Sequence, residues 1–410
     1  MPLPRTLPRR AFLALPFGVA VAAALGAAGA ANSRRFLFIH AQGGWDPLCV
    51  FAPLFGRAGI DMEPEAAPWT VGGLSLVDSP LRPQVRHFFE TWHQRTLVLN
   101  GVSTRSVNHE TCQAVALTGG TSDTRADFPT LLAAAQAETF RLPHVAFSGP
   151  VFPGEHTLLV SRATGLIQAT VNGELLALAD QPMLGLDDPT SRVTRDYLAR
   201  RAQTFAQGRG SERSSAYLEA VRRAGGLSDD RYQIELEPKA TVLSQAKSAI
   251  AALRDGVCRV ATLGTGFLWD SHVDNADQTT QFEALFGDLD KVLAELAITP
   301  GPEGRPLSED TLVVVSSEMG RTPGYNDTTG RDHWPFTTML LIGDGLSADR
   351  VVGGFDDLYG GIGVDAASGE ADADKRGIAA ADVGATLLAL GGVDPGEGIA
   401  GAEVLSGLLA

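Results

Sequence analysis

"LVVVSSEMGRTPGYNDTTGRDHWP", residues 312–335, holds two kinds of sequence back to back. Leu312, Val313, Val314 and Val315 form an unbroken apolar run. Behind it come Glu318, Arg321, Asn326, Asp327, Arg331, Asp332 and His333, in a stretch punctuated by three Gly and two Pro. A continuous apolar run, as opposed to an alternating one, predicts a strand buried on both faces. Ionisable groups at its end predict the rim beyond the carboxyl ends of an α/β sheet, where such sheets place their ligand sites.

The same pattern repeats along the chain. "RFLFIH" (35–40) runs into "AQGGWD", "RTLVLNGV" (95–102) precedes "NHETCQAVAL" (108–117), and "CRVATLGTG" (258–266) and "TTMLLIGDG" (337–345) are further buried runs. Shorter apolar runs lie near 143–147 and 157–172. Helices are predicted over 108–117 with Asn108 as N-cap, and over 127–140 with Asp127 as cap and Pro129 in the first turn. Two more are predicted over 279–298, with apolar residues at helical spacing, and over 380–392, ending on Gly. The charged stretch 188–255 reads as a helical insertion. Strands alternating with helices predict an α/β fold with a mostly parallel central sheet flanked by helices. Asp46 follows the first strand, His109 the second, Asp270 and His272 the third, and Glu318 and Arg321 the fourth, all on one rim.

With 410 residues, 44% hydrophobic and 20% charged, the chain is expected to fold as one globular domain over residues 31–410. Residues 1–30 have a basic start with Arg9-Arg10, a mildly apolar stretch and small residues at Ala28-Gly29-Ala30. They read as a twin-arginine export signal, so the expected location is the periplasm or outside. That segment carries three Arg and no acid, so its removal takes the formal charge from −15 to −18. Such a balance argues against nucleic acid or an anionic membrane as partner. No second apolar run is long enough to span a bilayer. Cys49, Cys112 and Cys258 show no metal or redox spacing and are expected as small buried residues.

"FIHAQGGWDPL", "GFLWDSHVDN", "SSEMGRTPGYNDTTGRDHWP" and "AADVGATLLALGG" together resemble the DUF1501 family, bacterial proteins of uncharacterised function that are usually exported by the twin-arginine route. The resemblance implies an alkaline phosphatase-like fold, in a superfamily whose site holds two divalent metals and a Ser, Thr or modified Cys nucleophile at a helix start. On that basis Asp46 matches the first metal-binding Asp. Asp270, His272 and His333 match an Asp-His-His ligand set suited to Zn, Mn or Fe. Glu318 stands for a further ligand, but Met319 stands where the second metal's His is expected, so one or two ions are implied. His109 falls on the nucleophile position. It is read either as a replacement ligand, kept neutral by the helix N-terminus, or as a nucleophile itself. Arg321, with a guanidinium fork suited to phosphate or sulfate, is expected to meet an anionic substrate.

Each of these has a plainer reading. Asp46 fits a turn before Pro47, and Arg321 and Arg331 could pair with Asp327 or Asp332. His40 could be a satisfied structural histidine. Trp45, Trp269 and Trp334 flank site residues and suggest an aromatic pocket wall, with core packing as the alternative. The function expected is an exported metal-dependent hydrolase of small anionic phosphate or sulfate esters, using metal-activated water or an atypical nucleophile. The alternative is a non-catalytic metal- or anion-binding protein on the same fold. The sequence is silent on protein partners.

Overall fold

Eight strands build the central sheet of the computed structural model, which describes residues 34–164 and 239–410 apart from 303, 398 and 400, together with pieces of 165–238. The export-signal reading of residues 1–30 lies outside the described residues. Arg34–Ala410 form one compact unit.

In chain order the strands are β1 (Arg35–Ala41), the hairpin β2 (Ala67–Val71) and β3 (Leu74–Asp78), β4 (Thr96–Ser103), β5 (His144–Ala146) and β6 (Val160–Arg162). There follow the short pair β7 (Glu174–Leu175) and β8 (Leu184–Gly185), then β9 (Val260–Gly264), β10 (Thr311–Ser317), β11 (Gly320–Arg321), β12 (His333–Trp334), β13 (Phe336–Ile342) and β14 (Arg350–Gly353). The large sheet runs β14-β4-β13-β10-β1-β9-β5-β6. β13 pairs antiparallel with both β10 and β4, whereas the other pairings are parallel. The sheet is therefore mostly parallel, as the apolar runs predict. The exception has a simple cause: β10 reaches β13 through a loop without the crossover helix that a parallel return requires.

Helices cover both faces. Phe36, Phe38, Leu312 and Val314 pack with Phe128, Leu132, Val383 and Leu387, from helices α3 (Phe128–Ala134) and α7 (Ala380–Leu390). Leu37, Ile39, Val313 and Val315 pack on the other side with Phe88, Phe89, Ile250, Leu253, Phe282 and Phe286. These come from α1 (Pro83–Trp92), α5 (Val242–Arg254) and α6 (Ala276–Ile298). Successive strand residues point to opposite faces, and both faces are covered, so the strand sequences are apolar throughout. Within the expected insertion 188–255, α4 (Pro189–Ala206) and α5 are described; most of what lies between them is outside the described residues. No described helix is long and apolar enough to cross a membrane.

Candidate metal centre

Three connections at one rim carry the site. β4 leads through residues 104–108 into helix α2 (His109–Thr118), where the Asn108 side chain accepts from Thr111 N at 3.0 Å and leaves His109 at the first helical position. β9 leads through the loop holding Asp270 and His272 into α6. β10 leads into the ribbon β11/β12, in which Arg321 pairs with His333 and so returns that histidine to the strand end. The 104–108 loop is fastened to the ribbon at two points: Thr104 N donates to Pro335 O at 2.8 Å, and His333 Nδ1 donates to Val107 O at 2.7 Å.

Each of three imidazoles has one nitrogen tied down and the other aimed at Asp270. His109 Nδ1 meets Glu318 Oε1 at 3.0 Å while its Nε2 lies 3.5 Å from Asp270 Oδ2. His272 Nδ1 meets Asp332 Oδ1 at 2.8 Å while its Nε2 lies 3.2 Å from Asp270 Oδ1. His333 Nε2 is also 3.2 Å from Asp270 Oδ1. Carboxylate and carbonyl acceptors hold the ring protons on Nδ1, which leaves the Nε2 lone pairs pointing inward. The Nε2 atoms of His272 and His333 are 2.9 Å apart. Two lone pairs at that distance repel unless a cation or proton sits between them. Ligand atoms of His109, Asp270 and His333 all lie within 4.8 Å of one another. Nitrogen donors whose far nitrogens are anchored to acceptors, plus one carboxylate, fit a divalent transition metal.

The electrostatics agree. The hydrogen bond to Glu318 raises the His109 pKa and makes the ring a more basic donor. This outweighs burial, which lowers it. Burial lowers His333, favouring the neutral imidazole. Burial would raise Asp270, but the Arg321 hydrogen bond brings its carboxyl below the ordinary value. Burial would likewise raise Glu318, yet hydrogen bonds from His109 and His40 hold it well below the usual carboxylate range.

Three of the expected site residues, Asp46, Glu318 and Arg321, meet other partners than a metal or substrate in the structure. Asp46 is held by the protein and is not among the converging groups: it is fully buried, its Oδ2 is 3.0 Å from Arg331 Nε and 2.8 Å from Asn275 Nδ2, and its Oδ1 accepts from Leu48 N at 3.0 Å. Glu318 is not aimed at the centre. Its Oε1 is shared between His109 and Gly43 N at 2.7 Å, and its Oε2 lies 3.4 Å from His40 Nε2. It orients His109. Arg321 has its guanidinium turned to the protein. It is fully buried and donates to Gly44 O, Arg331 O, Gly43 O, Trp269 O and Asp270 Oδ1. It pins three loops together and fixes Asp270. Neither arginine pairs with Asp327 or Asp332. Arg331 pairs with Asp46 and donates to the carbonyls of Thr322, Pro323 and Asp61.

The aromatic wall is also absent at Trp45 and Trp269. Both are fully buried and pack edge-on at 6.1 Å, with Phe282 beside them. Trp334 stacks on Tyr359. Met319 is buried, and all three cysteines are free and buried. Gly43 is required where it stands, at φ +119° and with any Cβ only 2.6 Å from Trp269 N.

Two supporting residues had no usable sequence signal. Gln278, in the first turn of α6, accepts from Asp46 N at 2.8 Å and donates to Gly44 O and Trp269 O. His40 stands behind Glu318, and only its place at a strand end hinted at this.

Fold and site together define an α/β protein with a candidate divalent-metal centre at the carboxyl rim of its sheet. The chain belongs to the family described as Protein of unknown function (DUF1501), which matches residues 90–403. No curated protein matches it. Among solved structures it is similar to the lipoteichoic acid synthase LtaP from Listeria monocytogenes, at 9% identity and TM-score 0.42, over 93% of this chain and 77% of that one. It is similar to the PsFucS1 sulfatase from Pseudoalteromonas sp., at 12% identity and TM-score 0.40, over 95% and 75%. It is also similar to a phosphonate monoester hydrolase of Agrobacterium radiobacter, at 12% identity and TM-score 0.33, over 88% and 74%. At such identities and scores none of these fixes the chemistry of this chain.

Proposed function

We propose that the chain is an exported metal-dependent hydrolase of phosphate or sulfate esters. The observation that supports this best is the convergence of the Nε2 atoms of His109, His272 and His333 on the Asp270 carboxylate, with every Nδ1 anchored. Those four side chains would hold one divalent ion. Asp46 and Glu318 have other partners and Met319 is buried, so the reading is one ion, not two. When bound, the ion supplies a Lewis acid for the ester oxygens and lowers the pKa of water at neutral pH.

The protein's own groups do the positioning. Glu318 keeps the Nδ1 proton of His109 in place and fixes the ring plane, which favours the ligand role of His109 over the nucleophile role. Asp332 and Val107 O do the same for His272 and His333. Arg321 neutralises Asp270 from the buried side. The export reading of residues 1–30 places the reaction in the periplasm or outside.

The test is elemental analysis of purified wild type and His333→Ala, alongside hydrolysis of aryl phosphate and aryl sulfate panels. One transition-metal ion per wild-type chain, lost together with turnover in the variant, is the expected result. Stoichiometric metal with no turnover on any ester would leave a metal-binding protein. No metal at all would sink both.

A further inference from the structure

Resting on the hydrolase reading, a question follows that the site residues leave open: which cation holds the anionic end of an ester. Arg321 and Arg331 are both buried and spent on backbone carbonyls, Asp270 and Asp46. The segments that supply or support the ligands are 40–49, 104–110, 264–276 and 316–336. Besides those two arginines they contain one other Lys or Arg, and it is Arg105.

Arg105 is exposed, and among the described residues its side chain has no ion pair or hydrogen bond. It sits between the two points that fasten its loop to the site, Thr104 on Pro335 O and Val107 O on the His333 ring. Val107 lies two residue steps further on, roughly 7 Å of chain at 3.3–3.6 Å per residue, a span that an arginine side chain covers. Its backbone lies at φ +59°, one of four non-glycine residues with positive φ among the described residues. Residues held in that region carry a conformational cost, and such residues cluster at ligand sites. An unpaired guanidinium on a strained residue does nothing for the fold that glycine would not do better.

We infer that Arg105 is the anion-holding residue of the metal centre, donating its guanidinium fork to the nonbridging oxygens of a tetrahedral phosphate or sulfate group. It takes the place that the sequence suggested for Arg321.

The experiment is calorimetric titration of inorganic phosphate, and separately of sulfate, into zinc- or manganese-loaded protein, which needs no turnover. Wild type, Arg105→Ala, Arg105→Lys and Arg105→Gly are compared, with metal content and thermal melting measured on each. The expected result is about 10- to 100-fold weaker anion binding in Arg105→Ala, the loss typical of one or two charge-assisted hydrogen bonds. Arg105→Lys should recover part of it, and metal content should be unchanged. Arg105→Gly should melt at or above wild type and still bind weakly, a combination that a purely structural residue would not give. If the anion tightened only by metal binds Arg105→Ala and Arg105→Gly as well as wild type, the inference is overturned. If metal-loaded wild type binds neither anion, it is overturned together with the hydrolase reading. If anion binding depends on Arg105 but no ester is turned over, the inference stands and the hydrolase reading alone falls.

Discussion

Two sets of ionisable residues share one rim of this sheet and do opposite jobs. Asp46, Arg321 and Arg331 are fully buried, and their charges are consumed by each other's loops, by carbonyls and by Asn275. His109, His272, His333 and Asp270 lie one layer outward, 20–40% exposed, and turn lone pairs toward a common point. Residue type does not separate the groups, since each contains an aspartate at a strand end. Satisfaction separates them. A buried charge persists when it is paired and hydrogen-bonded by the protein, so the inner set is scaffold. The outer set turns its nitrogen and oxygen donor atoms toward one another at a partly exposed point, and that is where a ligand can add stability.

The inner set should give the largest effect. Asp46→Ala leaves Arg331 buried without its carboxylate, and breaking a buried pair from one side costs about 3–5 kcal/mol. Urea denaturation measures this. A loss under about 1 kcal/mol would erase the distinction between the two layers. His333→Ala is the counterpart. In metal-free protein it should change stability by no more than about 1 kcal/mol, yet abolish stoichiometric metal binding.

Glu318→Gln sharpens the boundary, because Glu318 is buried but serves the outer set. Removing its charge should leave the fold intact and weaken metal affinity about 10- to 100-fold, as for other groups that orient a ligating histidine. Competition with a chelator reads this directly. An unchanged affinity would show that His109 needs no carboxylate behind it.

A last comparison comes from a buried titratable pair away from the site. Asp127 caps α3, and burial pushes it up to about 6 from 3.8. His144 meets Thr130 Oγ1 of that helix at 3.1 Å, and burial, aided by Arg162, pushes it down to about 3 from 6.5. The signs oppose. The Asp127 contribution is full below 3.8 and is lost as pH rises through about 6. The His144 contribution is full above 6.5 and is lost as pH falls toward about 3. Between pH 4 and 6 they offset, so these two groups give wild type a nearly flat stability there. His144→Asn should unmask Asp127 and make the variant gain stability relative to wild type as pH falls from 6 to 4, at up to about 1.4 kcal/mol per unit. Denaturation at several pH values would show a parallel profile if the pair were not coupled to folding.

How much was legible follows the same divide. The apolar runs at 35–40, 95–102 and 312–315 announced strands buried on both faces, and apolar packing on either side of the sheet covers those faces: Phe36 and Leu37 point into different cores. The antiparallel entry of β13 and the outer strand β14 were not legible, because both depend on what the intervening loops can reach. Of the site, Asp270, His272 and His109 were picked out by position, as reactive types just past buried strands, and His333 by the family resemblance. Arg321 was picked out and Arg105 was not, since a guanidinium reads the same in sequence whether carbonyls surround it or water does.

The sequence by itself determined the periodicity of the elements, hence the layered α/β fold, and the rim on which ionisable residues gather. Only the tertiary structure decided which of those residues are spent on one another and which remain available. Local sequence sets backbone preference and the face on which a side chain lies. Hydrogen-bond satisfaction is a property of atoms brought together from loops more than two hundred residues apart, as Glu318 and His109 are, and no local pattern encodes it.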